Sequence, residues 1–61
     1  MDRVEKAGVV REWRRVKGYT VSEAAARCGV TRTTIWRWER GRTVPPRRRW
    51  MEILEELVRE C

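Results

Sequence analysis

The sequence predicts an all-α fold of four helices packed as one compact domain. Apolar residues recur at intervals of three and four along four segments, which is the spacing of an amphipathic helix. Glycine or proline separates these segments, and residues able to cap a helix stand where they begin. The predicted helices lie at about 2–17, 21–28, 32–40 and 46–60, in a single domain that covers residues 1–61.

The first helix is predicted from its two ends and from one apolar face. Asp2 and Glu5 are suited to cap its start, and Gly18, which follows Lys17, is suited to end it. Gly8 has a poor helix propensity, so we expect the first turns to be weak. The side chains expected to face inward are Val9, Val10, Trp13 and Val16.

A tight turn joins the second and third helices. Thr20 and Glu23 have the spacing of a capping box, so a helix should begin directly after Thr20. Gly29 is suited to end that helix, Thr31 to cap the next one, and Gly41 to end it in turn. Because the connection is only about three residues long, the two helices must cross steeply and touch. The side chains expected at their contact are Ala24, Ala25 and Cys28 on one helix and Ile35 and Trp38 on the other.

The fourth helix is predicted to begin at Pro46, since proline is well tolerated at a first helical position. Its predicted core face consists of Trp50, Leu54, Leu57 and Cys61. Met51 and Val58 fall to one side of this face, with Leu54 between them. This arrangement fits either a broad core stripe or a strip through which two copies of the chain pair.

The composition argues against an enzyme. The chain has no histidine, one serine and one aspartate, so the usual acid–base and nucleophile arrangements cannot be assembled. Cys28 and Cys61 show neither metal-ligand spacing nor a disulfide framework, and we expect free thiols in a reducing cytoplasm. We expect no signal peptide before the domain, and no apolar run approaches the roughly 20 residues that span a bilayer. We therefore predict a cytoplasmic protein without metal, cofactor or enzymatic activity.

Positive charge is concentrated in the middle of the chain. The formal net charge is +6 at pH 7. Residues 32–49 carry seven basic residues against one acidic residue, whereas residues 50–61 carry one basic residue against four acidic ones. Such a basic block is the electrostatic pattern expected of a surface that binds phosphates, although a solvated arginine-rich face has the same composition.

Residues 24–38 contain a small residue, a turn glycine and a set of apolar residues at characteristic intervals. They are Ala25, Gly29 and the apolar Ala24, Cys28, Val30, Ile35 and Trp38. The run Glu39-Arg40-Gly41-Arg42, followed by Pro45 and Pro46, is a second signature. With these features residues 10–57 resemble the lambda-repressor-like helix-turn-helix domain of the phage repressor and Cro (XRE-like) family of DNA-binding proteins.

The resemblance implies a sequence-specific transcriptional regulator of double-stranded DNA, and in particular a repressor of the kind carried by phages, viruses and mobile elements. It implies that Arg14, which aligns on the family's first-helix arginine, forms a structural ion pair with Glu39. It also implies that the third helix enters the major groove, where each base pair presents its own pattern of donors, acceptors and methyl groups. The positions from which family members read base edges are occupied here by Arg32, Thr33 and Arg37.

Further contacts with DNA are predicted around these three residues. Trp36 projects from the same side of the helix as Arg32 and Arg37, so we assign it to the base-reading surface, with a position beneath a neighbouring chain as the alternative. The start of the second helix and several arginines are expected to hold phosphates without reading sequence. The predicted phosphate-binding residues are Thr20, Val21, Arg40, Arg42 and Arg47. Family members commonly carry glutamine at the position of Val21, which cannot make the same polar contact.

Other partners and functions stay open at this point. A weak or DNA-induced homodimer would use Met51, Leu54 and Val58 of the fourth helix. The DNA-binding module of a recombinase or excisionase would suit residues 29–38 equally well, but the Glu39-Arg40-Gly41 run argues against it. The acidic, apolar-striped helix at 47–61 would suit a protein-binding adaptor, such as an antitoxin or a polymerase-binding cofactor. DNA affinity with a steep salt dependence would separate the DNA-binding functions from the adaptor.

Overall fold

The computed structural model describes residues 2–60 of the chain. This part contains four helices, which are α1 (Arg3–Lys17), α2 (Val21–Cys28), α3 (Arg32–Glu39) and α4 (Arg47–Glu60). They pack into a body of 27 × 25 × 18 Å, in which α1 contacts α3 and α4, and α2 contacts α3. The predicted all-α, four-helix fold is confirmed.

The starts of the first three helices carry the predicted caps. The Asp2 carboxylate accepts a hydrogen bond from the Glu5 N–H at 2.9 Å, and the Thr31 hydroxyl accepts one from the Thr34 N–H at 3.3 Å. In the capping box, the Glu23 N–H donates to the Thr20 hydroxyl at 3.1 Å and the Thr20 N–H donates to the Glu23 carboxylate at 2.9 Å. The Thr20 N–H lowers the pKa of the Glu23 carboxyl, so the contribution of the carboxylate to this cap is present at neutral pH and is lost as the pH falls through that pKa.

Three predicted boundaries differ from the structure by one residue. α1 begins at Arg3 rather than at Asp2, which is its N-cap. α3 ends at Glu39 rather than at Arg40, which is its C-cap and precedes Gly41 in the left-handed conformation (φ +73°). α4 begins at Arg47 rather than at Pro46, because Pro46 precedes the helix and its carbonyl accepts the hydrogen bond of the Trp50 N–H at 2.8 Å. At the other end, Cys61 of the predicted core face lies outside the described residues.

The inner face of α1 is rotated from the predicted one. Val10 and Trp13 are buried as expected and Val9 is partly buried, but Val16 is 36% exposed, so its predicted inward position is wrong. Ala7, absent from the prediction, is 3% exposed. Nine residues separate Ala7 from Val16, which is two and a half helical turns, so the two side chains lie on opposite sides of α1.

The α2–α3 contact is built from the predicted residues. Ala24, Ala25 and Cys28 are buried against the same cluster as Ile35 and Trp38, and the two alanines let the helices approach closely. Burial raises the pKa of the Cys28 thiol, which therefore stays protonated at neutral pH.

α4 closes the core from the other side with a face slightly different from the predicted one. Trp50 and Ile53 are buried, whereas Leu54 and Leu57 are only partly buried. The apolar residues of α4 form one broad stripe with Ile53 at one edge and Met51 at the other, and the sequence does not show which edge of this stripe meets the core. Lys17 at the end of α1 is paired with Glu56, with 3.4 Å between nitrogen and oxygen. None of the helices in the described part of the chain is long and apolar enough to cross a membrane.

Candidate nucleic-acid interface

The outer face of α3 is polar, basic and open to solvent. Ile35 and Trp38 anchor the opposite face in the core with relative exposures of 0% and 3%. The helix is therefore held in one rotation, and its remaining side chains are presented together. The exposed side chains of this face are Arg32, Thr33, Trp36 and Arg37.

The start of α2 lies beside this face. Val21 lines an open groove of about 510 Å³ with Trp36, and a second one of about 530 Å³ with Arg32, Thr33 and Trp36. Thr20, the N-cap of α2, is also exposed. The capping box engages the N–H groups of Thr20 and Glu23, while the N–H groups between them belong to the first turn, which has no intrahelical acceptor for them. One surface thus combines the outer face of α3 with the start of α2.

The chain turns sharply at the end of α3 and brings two arginines to this surface. The Gly41 N–H donates to the Trp38 carbonyl at 3.2 Å, and the Arg42 N–H donates to the Arg37 carbonyl at 3.0 Å. These two bonds with a left-handed glycine form a Schellman motif. Both Arg40 and Arg42 are exposed, and their guanidinium groups lie over the Trp36 ring. Arg47 is exposed in the first turn of α4.

An ion pair ties α1 to the end of α3. The Arg14 Nε atom lies 2.8 Å from one Glu39 carboxylate oxygen, and its Nη2 atom lies 3.1 Å from the other, so the contact is bidentate. Relative exposure is 29% for the Arg14 side chain and 11% for that of Glu39. The negative carboxylate is placed at the C-terminal end of α3, where the helix dipole disfavours it, and the guanidinium offsets this.

Two contacts around this pair were missed from the sequence. Arg14 Nη1 also donates to the Tyr19 carbonyl at 3.3 Å, and Arg11 donates to the Glu39 carbonyl. The signal for Arg11 was present, because it stands three residues before Arg14 and therefore on the same side of α1. The Tyr19 contact depends on the turn after α1 and has no sequence signal.

α4 carries an exposed apolar strip outside the core. Met51 is 54% exposed and Val58 is 71% exposed, and the partly buried Leu54 lies between them in sequence. With Glu55 and Arg59 these three side chains line an open groove of about 480 Å³. Glu55 and Arg59 are themselves paired at 2.6 Å.

α2 and α3 are two short helices joined by a three-residue turn. The second of them is anchored by its apolar face and open along its polar face. This arrangement defines a helix-turn-helix protein. A family model described as a helix-turn-helix domain matches residues 7–59. The chain belongs to this family, which is part of the XRE-like superfamily. No curated protein and no solved structure matches it. Domains of this family are typical of DNA-binding regulators and are typically not enzymes.

Proposed function

We propose that this protein is a sequence-specific regulator of transcription that binds double-stranded DNA in the cytoplasm and acts as a repressor. The observation that carries the proposal is the open, basic face of α3, which the buried Ile35 and Trp38 hold in a fixed rotation beside the start of α2. The resemblance to phage repressors supports repression, because a protein that occupies a promoter excludes polymerase without needing a second activity.

Bases are read from the outer face of α3, by residues of its first turn and by Arg37 one turn later. An α-helix fits the major groove of B-DNA, and in helix-turn-helix proteins the first residues of the second helix contact base edges. Arg32 and Arg37 are exposed on the outer face and can each form a bidentate contact with guanine O6 and N7. Thr33 lies on the same exposed face and suits a thymine methyl group or a phosphate.

Phosphates are held around the reading helix. The first-turn N–H groups of α2 at Val21 and Ser22 lie at the N-terminal end of the helix, which is partially positive and attracts an anion. The Thr20 hydroxyl accepts a hydrogen bond within its cap and keeps its own O–H for donation. Arg40, Arg42 and Arg47 are exposed at the end of α3 and the start of α4, where they add three positive charges.

Replacing a reading residue should have a different effect from replacing a phosphate-binding one. Arg32→Ala or Arg37→Ala should cost about 1–3 kcal/mol on the preferred site and relax the preference at one base pair. Arg42→Ala or Arg47→Ala should weaken all duplexes by a similar factor and lower the salt slope by roughly one unit. The preferred site is first selected from a random duplex pool, and each variant is then titrated with preferred and scrambled duplexes at several salt concentrations.

Arg15→Ala is the matched control, because Arg15 is an exposed arginine on α1 that is paired with Glu12, and its loss should change neither preference nor slope. If Arg42→Ala alters sequence preference while Arg32→Ala and Arg37→Ala alter only overall affinity, α3 is not the reading element. If the wild-type protein binds no duplex at low salt, the DNA-binding function is wrong.

We further propose that two copies pair weakly on DNA through the apolar strip of α4. Arg47 and Arg48 lie in the first turn, and Glu55 and Glu56 lie two turns later, so charge is segregated along the helix. In an antiparallel pair, the basic turn of one copy lies beside the acidic turns of the other. The strip is small compared with the roughly 800 Å² that each partner of a stable dimer buries, so the pairing should depend on DNA.

Val58→Glu should abolish this pairing, because it places a carboxylate inside an apolar contact. Val16→Glu is the matched control, since Val16 is an exposed valine on α1, on the side of that helix opposite the buried Ala7. Sedimentation of the protein with a duplex that contains two selected half-sites should show a two-to-one complex for the wild type and for Val16→Glu. Unchanged two-to-one assembly of Val58→Glu would exclude this strip as the interface.

The same exposed strip favours a second candidate function, a protein-binding adaptor such as an antitoxin or a polymerase-binding cofactor. In that case Met51, Leu54 and Val58 contact another protein, and the arginines of α3 are a solvated surface. Lack of DNA affinity at low salt would favour the adaptor over the regulator.

A further inference from the structure

Trp36 is the centre of a cluster that contains two positive charges. The guanidinium carbon of Arg40 lies 4.9 Å from the centroid of its ring, and that of Arg42 lies 5.7 Å away. Both distances are within the range of a cation–π interaction, in which the negative face of the ring attracts the cation. The ring is 43% exposed, so the cluster is at the surface.

The backbone fixes this cluster. Arg40 follows Trp36 by four residues, which is the spacing of neighbours on a helix surface. Arg42 is brought back by the Schellman motif, in which the second residue after the C-cap commonly contacts a side chain of the last turn. The turn is also packed against α1, because a Cβ atom on Gly41 would lie 3.6 Å from the Arg3 carbonyl oxygen. Both arginines therefore start from fixed positions beside the ring.

Some arginines of the described chain are engaged by a carboxylate and others are not, and Arg40 and Arg42 differ from both groups because they share one ring, whereas Arg27 lies over the Tyr19 ring alone. Arg14, Arg15, Arg49 and Arg59 each pair with a glutamate. Within the described residues, Arg40 and Arg42 have no acidic partner and lie against an aromatic ring instead. Contact with a ring face leaves the N–H groups at the guanidinium edge available for hydrogen bonds, and two adjacent guanidiniums match an oxyanion better than any neutral ligand.

We propose that Trp36 is a positioning residue, which holds Arg40 and Arg42 as a two-guanidinium site for the phosphates of the DNA backbone and does not itself read a base. This inference rests on the proposed DNA-binding function. A free arginine side chain loses conformational entropy when it binds a phosphate, and this loss weakens binding. Because the ring already restricts Arg40 and Arg42, they lose less entropy when they bind. The sequence interpretation placed Trp36 with the base-reading residues, whereas its contacts give it a role in affinity rather than in sequence preference.

The test is a mutant cycle on preferred and scrambled duplexes. Trp36→Ala should weaken both by the same factor, about 3-fold to 10-fold, since an exposed cation–π contact contributes a few-fold to an equilibrium constant. In a protein that already carries Arg40→Ala and Arg42→Ala, adding Trp36→Ala should change affinity by less than about 1.5-fold, because the groups it positions are gone. Trp36→Phe, which keeps an aromatic face, should restore most of the affinity. Thermal melting of each variant checks that it is folded.

Each result decides the inference. Trp36→Ala could change the sequence preference at one base pair and lower DNA affinity by a factor that multiplies with that of the arginine variants. That result would make Trp36 a base-reading residue and overturn the proposal. Wild-type affinity of Trp36→Ala for both duplexes would also overturn it, and the proposed function would stand. If the wild-type protein binds neither duplex at low salt, the proposed function fails and the phosphate site fails with it.

Discussion

Replacing Trp38 by Ala should lower the free energy of unfolding by about 3–5 kcal/mol, the usual cost of deleting a large aromatic side chain from a core. Trp38 is 3% exposed and belongs to the buried cluster that joins all four helices of the described chain. Small domains have total stabilities of only about 5–15 kcal/mol, and a chain of this length lies at the lower end. Most molecules of this variant should therefore be unfolded near 40 °C.

Trp36→Ala is the matched control for Trp38→Ala, because the two tryptophans lie two residues apart on the same helix and Trp36 is 43% exposed. It should keep the fold and lose little stability. Circular dichroism during thermal and urea unfolding measures both variants. Equal melting of the two would show that the inside and outside of α3 have been assigned the wrong way round.

Replacing Arg14 by Ala should cost about 2–3 kcal/mol, between the values for exposed and for fully buried ion pairs. The Glu39 carboxylate, 11% exposed, would lose both hydrogen bonds that Arg14 donates to it. Glu39→Ala should cost less, because Arg14 keeps its contact with the Tyr19 carbonyl and is 29% exposed to water. Urea unfolding of the two single variants gives the difference.

A double-mutant cycle tests whether this pair acts as a unit. The coupling energy between Arg14→Ala and Glu39→Ala should be about 1–2 kcal/mol. The exposed pair of Glu12 and Arg15 on the surface of α1 is the matched control, and its coupling should be much weaker, because water screens both side chains. No measurable coupling between Arg14 and Glu39 would mean that the bidentate contact does not hold α1 to α3.

Local chemistry in the sequence determined where the helices begin and end. The Thr20–Glu23 capping box, the Thr31 cap and the glycines at 29 and 41 each act within a few residues of the chain. Such interactions depend on spacing along the sequence and need no tertiary contact. The narrow apolar faces of α2 and α3 were predictable for the same reason, since short helices with few apolar residues have one possible inner side.

The tertiary structure decided which sides of the longer helices are buried and how the surface arginines are grouped. Val16 is exposed while Ala7 is buried, and Ile53 is buried while Leu54 is only partly so. The apolar residues of α1 are spread around much of its circumference and those of α4 form a broad stripe, so the rotation of each helix follows from the helices packed against it. The placement of Arg40 and Arg42 on Trp36 likewise depends on the turn after α3, which is fixed against α1. A sequence pattern reports which residues can share a face, whereas contact between elements determines which face is used.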